Sequence, residues 1–314
     1  MAKCLFSWDG FSPVLPVQCR QNRSRRYLNR NKALPRMIDI RFSNFIPHPA
    51  LGHLIRAFVV VEADLGPVPE KMEGFYMPSP HQNMFIHINS RLKVKKSTEQ
   101  EFSTRSNCIV VGTQFTPVKL MADESHKAVI VVFQPGGLNR LLGIPLVELH
   151  DDGFDARDVI GNEIDELIDK CHEANGAGEI FKIVQEYFLK KLSRVDEELP
   201  IDKALRHLFQ NYNEKIDAIA SLACMSQRQF ERKCKERLGM SAKLYARIAR
   251  FNKAYNLFAH NNSVQWTDIA YQAGYYDQMH FIRDFKMFAH ATPTIIGHDV
   301  KKEKIKFQLD WGRI

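Results

Sequence analysis

Apolar positions along the chain change their period near residue 157. From 37 to about 145 they come as short runs: "HLIRAFVVVEAD", "QNMFIHIN", "NCIVVGTQFTPVKLMA" and "KAVIVVFQP". These runs are rich in Val, Ile and Phe and are cut by Gly, Pro, Asn and Ser, which predicts strands joined by turns. With no helical pattern between them, they predict an antiparallel sandwich or barrel-like domain. "GGLNRLLG" (136–143) predicts a short helix after the last of these runs.

Beyond 157 the period is 3.6. "VIGNEIDELIDKCHEA" places Ile160, Ile164, Leu167, Ile168 and Cys171 on one face. "EIFKIVQEYFLKKLSRV" does the same with Ile180, Ile183, Val184, Tyr187, Phe188 and Leu192. Two amphipathic helices are therefore expected as a bridge, with "NGAG" (175–178) turning between them. They could pack on the β part or pair with a second subunit. "SRVDEELP" (193–200) clusters charge before a proline and marks the expected domain boundary.

The last hundred residues contain a repeat. "IASLACMSQRQFERKCKERLGMSA" starts at Ile219, and "IAYQAGYYDQMHFIRDFKMFAHATP" starts at Ile269. Ile219-Ala220 pair with Ile269-Ala270. After one extra residue in the second turn, Phe230 pairs with Phe281, Arg232 with Arg283, Cys234 with Phe285, and Ser241-Ala242 with Thr292-Pro293. Each unit reads as helix, turn, helix. Small Ala220 and Ala270 suit a close helix crossing. Ser226 with Gln229 three residues on is a capping box, and Asp277 caps the partner helix. At ~100° per residue, Cys234 and Leu238 share the side of Phe230, with Arg228 and Arg232 opposite. Phe285 and Phe288 share the side of Phe281, with Met279, His280, Arg283 and Lys286 opposite and Gln278 on the first turn. One face of each second helix packs inward and the other is polar and cationic. "SAKLYARIARFNKAYNLFAHNN" between the units predicts a long connecting helix, with Leu244, Ile248, Phe251 and Leu257 on its apolar face.

Charge sharpens this picture. The formal net charge is +8 over 314 residues. Residues 1–36 hold 8 Lys+Arg against 1 Asp+Glu, residues 37–200 hold 17 against 24, and residues 201–314 hold 19 against 11. Such asymmetry points to one part that meets a polyanion and another that does not; basic faces that merely aid solubility are the alternative. Basic density peaks at 226–253, with nine Lys+Arg against two acids. The segment "CRQNRSRRYLNRNK" within 1–36 is basic and aperiodic, so disorder is expected there. It reads as a nucleic-acid arm, an Arg-rich targeting peptide, or a stretch outside the fold, with Met37 as a candidate functional start.

The helical third resembles the DNA-binding domain of AraC-type transcription regulators over about residues 205–296. The resemblance is most specific from Ile269 to Pro293: the I-A pair, the Gly-aromatic turn, Asp-Gln, the F-x-R-x-F-K core and the T-P stop occur in order. The first unit matches at Ser226, Phe230, Arg232, Lys235 and Leu238-Gly239. Cys234 stands where an aromatic is usual, His290 where glycine is usual, and Gln265 where a small polar cap is usual. The β-rich half is loosely similar to the sensor domains of such regulators.

The resemblance implies a bacterial, cytoplasmic regulator, not an enzyme, that reads double-stranded DNA with each second helix in the major groove. The first reading helix would present Gln227, Arg228, Glu231, Arg232 and Lys235; the second, Gln278, Met279, His280, Arg283 and Lys286. Arginine can pair with guanine and glutamine with adenine. Met279 would meet a thymine methyl, and Lys235, Arg247 and Lys286 phosphates. Blander alternatives stand beside these roles: one of Arg232 and Arg283 braces a helix by an ion pair, His280 is an ordinary exposed histidine, and Gln229 is a capping partner rather than a reader.

The expected architecture is α+β: a basic extension at 1–36, a β-rich sensor domain with helical bridge at 37–195, an all-α domain with two helix-turn-helix units at 200–298, and a tail at 299–314. A small-molecule effector and a homodimer are partner expectations. No apolar run approaches the ~18–20 residues that cross a bilayer, so no membrane partner is expected. Six scattered cysteines without a C-x-x-C pair read as free thiols of a reducing cytosol. Neither a cofactor nor a metal is expected, since His53, His81 and His87 show no ligand spacing. The rival reading is a DNA-repair or β-barrel enzyme fused to a nucleic-acid-binding domain, which needs a reactive cysteine; Cys108 and Cys171 lie in apolar contexts.

Overall fold

The computed structural model describes residues 19–28, 37–64, 72–122, 125–149, 151–260 and 265–302. The strands are β1 (Cys19–Leu28), β2 (Met37–Phe45), β3 (Ile55–Asp64), β4 (Met72–Tyr76), β5 (Asn83–His87), β6 (Lys93–Lys96), β7 (Ser103–Thr104), β8 (Cys108–Val111), β9 (Val118–Ala122), β10 (Ser125–Phe133) and β11 (Gly153–Asp155). They form a seven-stranded sheet in the order β1-β2-β3-β10-β5-β8-β11 and a four-stranded sheet in the order β4-β9-β6-β7. Their pairings are antiparallel, as in the Val129↔Val60 register of β10 with β3 and the Leu120↔Gly74 register of β9 with β4.

The period of two assigns the faces of the large sheet. Val129, Val131 and Phe133 face one way with Phe58 and Val60; Ile130 and Val132 face the other with Val59. Behind the first face lie α1 (Gly137–Leu142), α2 (Ala156–Ile160), α3 (Glu163–Glu173) and α4 (Ala177–Lys191). Ile164, Leu167, Ile168 and Cys171 of α3, and Ile180, Phe181, Val184 and Phe188 of α4, are buried there. Phe181 stacks on Phe45 at 4.5 Å. The bridge helices thus spend their apolar faces on the sheet. The run "VIGNEIDELIDKCHEA", expected as one helix, is broken by Gly161 at φ +102°, which ends α2.

One expectation is corrected at the N-terminus. Residues 19–28 of the basic extension, expected to be disordered, form β1 and pair along β2, from Cys19↔Phe45 to Leu28↔Met37. An edge strand needs a partner's backbone but no apolar period of its own, so composition hides it. The rest of 1–36 lies outside the described residues.

The C-terminal domain is all-α: α5 (Pro200–Gln210), α6 (Ile216–Leu222), α7 (Gln227–Leu238), α8 (Ala242–His260), α9 (Trp266–Gln272), α10 (Gln278–Phe288) and α11 (Pro293–Lys302). Phe230, Cys234 and Leu238 of α7 and Phe281, Phe285 and Phe288 of α10 share one core with α8. Phe251 of α8 meets Phe285 at 4.9 Å and Phe288 at 5.4 Å. α11 continues to Lys302, past the domain end expected at 298; residues 303–314 lie outside the described residues. The chain is α+β as expected.

The two domains share packing. Met77 belongs to the helical core, with Phe75 and Phe115 against it. Asn252 Nδ2 donates to the Pro78 carbonyl at 3.1 Å, and Arg56 lies 5.2 Å over the Phe209 ring.

Candidate nucleic-acid interface

Both helix-turn-helix units are built by the same local chemistry. Ser226 Oγ accepts from the Gln229 backbone N–H at 3.3 Å while Gln229 Oε1 accepts from the Ser226 N–H at 2.9 Å, closing the expected capping box on α7. Asp277 Oδ1 accepts from the His280 N–H at 2.7 Å and caps α10. That backbone donor, with His280 and Arg283 nearby, holds the Asp277 carboxyl below its usual range. Gln265 makes no side-chain cap to α9, consistent with its departure from the family pattern.

The repeat extends to backbone strain. The Cys224 N–H donates to Ser221 O and the Met225 N–H to Ala220 O; fifty residues on, Gly274 and Tyr275 donate to Tyr271 and Ala270. Cys224 adopts φ +54° and Gly274 φ +80° in these turns. Past the reading helices, Gly239 at φ +81° corresponds to His290 at φ +56°.

Gln227, Arg228, Arg232 and Lys235 on α7, and Gln278, Met279, His280, Arg283 and Lys286 on α10, are all exposed, opposite the buried aromatics. No ion pair ties Arg228, Arg232 or Arg283 among the described residues, which leaves their guanidinium donors for another acceptor. His280 Nδ1 lies 3.0 Å from Asp277 Oδ2.

Glu231 departs from this set. It is half-buried, and its Oε2 accepts from the Ala242 N–H at 3.0 Å, at the start of α8. In the second unit the position of Ala242 is Pro293, which has no N–H, and the position of Glu231 is Ile282. A carboxylate is present where there is a backbone donor to satisfy, and absent where there is none. Arg247, expected at a phosphate, is engaged internally: its Nε and Nη2 donate to Asp284 Oδ1 at 3.1 and 2.7 Å, and its guanidinium lies 5.4 Å over the Phe288 ring. Sequence reasoning missed Asp284; an acid between Arg283 and Phe285 carries no signal until α8 is packed beside it.

A second feature lies in the β domain. Between the two sheets is an apolar slot of about 60 Å³ lined by Tyr76, Phe85, Leu92, Ile109, Val118 and Leu120 among others, with Arg105 and Asp152 at a polar end. Burial raises the Asp152 carboxyl, but the Lys96 hydrogen bond and Arg105 outweigh it and leave it below its usual value. Nearby strands bury His87 and His126, their rings 5.2 Å apart; both His87 ring nitrogens lack a hydrogen-bond partner.

Among the described residues no group of three or more His, Cys, Asp or Glu could hold a metal ion. No described helix is long and apolar enough to cross a membrane. Cys108 and Cys171 are buried, and burial pushes both thiols up, Cys171 to about 12. Neither supplies the thiolate that an alkyl-transfer enzyme requires.

Comparison with known proteins bears on both domains. Residues 219–296 match the family described as a helix-turn-helix domain, and the C-terminal region is a helix-turn-helix domain of the AraC type. Residues 43–155 match a domain of unknown function, DUF6597. No curated protein matches the chain in sequence. Solved structures that resemble it include ToxT from Vibrio cholerae O395, at 13% identity over 77% of this chain and 97% of that one, with a TM-score of 0.43. Fatty-acid-bound ToxT from Vibrio cholerae strain SCE256 shows 15% identity over 77% and 95%, with a TM-score of 0.42. The AraC-like transcriptional activator CuxR shows 12% identity over 69% and 81%, with a TM-score of 0.28.

Proposed function

We propose that the protein is a sequence-specific DNA-binding transcription regulator whose β domain senses a small ligand or holds a second copy of the chain. One observation carries the reading: two repeat-related helices bury aromatic or thiol faces in one core and leave exposed rows of base-reading residue types. Arg228, Arg232, Gln278 and Arg283 contact base edges; Lys235 and Lys286 contact phosphates. Glu231 acts by fixing the start of α8 beneath the first reading helix.

The effector site is the slot between the sheets. Its volume is far below the ~300–1,000 Å³ of ordinary ligand pockets, so an apolar effector enters by parting the small sheet from the large one. The signal has a short route. Arg237, in the last turn of α7, donates to Asp202 Oδ1 at 3.1 Å, and Arg140 of α1 lies 3.6 Å from Asp202 Oδ2. Gln82, next to β5, donates to the Arg237 carbonyl at 3.2 Å. A shift of the β domain therefore reaches the first reading helix directly.

Footprinting of the full chain on genomic DNA, including its own upstream region, tests this. Protection of paired half-sites one helical turn apart, altered by a ligand that also raises the β domain's melting temperature, is the expected result. Uniform protection of all DNA sinks the reading.

A further inference from the structure

Between α8 and α10 lies a cleft of about 460 Å³, closed at one side by the loop after α5. Most of the charges on its walls are already matched. Arg247 is bound to Asp284, His280 to Asp277, and Glu214 to His207 at 2.6 Å. Lys243, Arg250 and Arg283 remain, and among the described residues no carboxylate pairs with any of them. Three cations around one concavity repel one another unless an anion joins them.

Arg250 is held ready. Its Nε donates to Asn213 Oδ1 at 2.9 Å, and its guanidinium centre lies 5.4 Å over the Tyr275 ring. These contacts use one nitrogen and one face, leaving the terminal nitrogens for a forked acceptor. Asn213 is itself seated under Gly274, where any Cβ would fall on its amide nitrogen. The glycine of the second turn therefore does more than allow φ +80°: it makes room for the residue that aims Arg250. A planar guanidinium fixed this way suits an oxyanion with two free oxygens, and phosphate above all.

We propose that Lys243 and Arg250 seat one phosphodiester of the DNA strand that passes between the two reading helices, while Arg283, at the edge of the cleft, reads the base beside it. Arg283 and His280 continue the cleft onto the reading face of α10, so an anion seated there belongs to the duplex being read. The inference rests on the DNA-reading proposal and deepens it. The seat sets how the two helices are registered on the duplex while carrying no sequence information.

The test measures binding of the full chain to a footprinted duplex and to a scrambled duplex of equal length, across a salt series. Arg250→Gln and Lys243→Gln should each weaken both complexes by about tenfold and flatten the slope of log K against log salt by about one, leaving the ratio between duplexes unchanged. Arg250→Lys should keep the slope and recover part of the affinity. Wild-type affinity and slope in both Gln variants overturn the seat; if Arg232→Ala still loses preference for the footprinted duplex, the reading function stands without it. If the wild type distinguishes no duplex, both proposals fall. Inorganic phosphate that shifts the Asn213 side-chain amide resonances of the wild type but not of Arg250→Gln, with DNA affinity unchanged between them, assigns the cleft to a free phosphorylated ligand and overturns the DNA assignment.

Discussion

Cys224 occupies, at φ +54°, the turn position that its repeat partner Gly274 occupies at φ +80°. The same exchange recurs after the reading helices, where His290 at φ +56° stands for Gly239 at φ +81°. Each unit thus places glycine at only one of its two left-handed positions. A non-glycine residue there costs about 1–2 kcal/mol, of which part returns through the lower freedom of the unfolded chain. Cys224→Gly and His290→Gly should each stabilise the protein by about 0.5–1 kcal/mol in urea titrations. A loss of stability in both would show the strain is not there.

The reverse change at the second turn should be costly for two reasons. Gly274→Ala adds backbone strain of about 1 kcal/mol and drives a methyl onto Asn213. Gly274→Ala in an Asn213→Ala background removes the second cost only. The double-mutant cycle should return a coupling of about 1 kcal/mol; zero coupling would mean that Asn213 simply swings away.

Arg247 and Asp284 bolt the connecting helix to the second reading helix. Asp284 is 5% exposed, so its charge has few other sources of compensation. Asp284→Ala should destabilise by about 3 kcal/mol, and Asp284→Asn, which keeps the shape, by less. Equal urea midpoints for Asp284→Ala and wild type would contradict the bolt.

The exposed arginines on the two reading helices carry the sequence preference. Arg232→Ala and Arg283→Ala should each weaken binding to a footprinted duplex by about 1–3 kcal/mol. Since Glu231 serves the α8 backbone, Glu231→Gln should change the melting temperature more than the base preference. Mobility shifts on single-base variants of the duplex check both statements.

Acid should unfold the β domain first. Burial lowers the His81 and His87 rings to about 3 and the His126 ring to about 4, with the Arg56 charge adding to the effect at His81 and the His126 charge at His87. The unfolded chain takes up these protons near pH 6.5. Above that value both states are neutral and the histidines contribute nothing. Between 6.5 and about 4 the unfolded state binds protons that the folded state refuses, so stability falls with pH by about 1.4 kcal/mol per unit for each ring. The urea midpoint should drop between pH 7.5 and 5, and His87→Phe should flatten that drop. The same slope in the variant would count against a neutral buried ring.

The sequence by itself determined the elements and the faces of the C-terminal third. The Phe230 and Phe281 spacings, the Ser226 and Asp277 caps and the fifty-residue repeat are local, and a helix's period of 3.6 fixes which side is buried. It also set the β character of 37–145, because alternation and turn residues act within a few positions. Only the tertiary structure decided what lay across the chain: that β1 pairs at an edge, that α3 and α4 spend their apolar faces on the sheet, that Glu231 and Arg247 are tied inward, and that Asn213 aims Arg250. Those outcomes depend on which backbone donor or charge arrives from a distant segment, and a local pattern carries no record of its neighbour until the chain has packed.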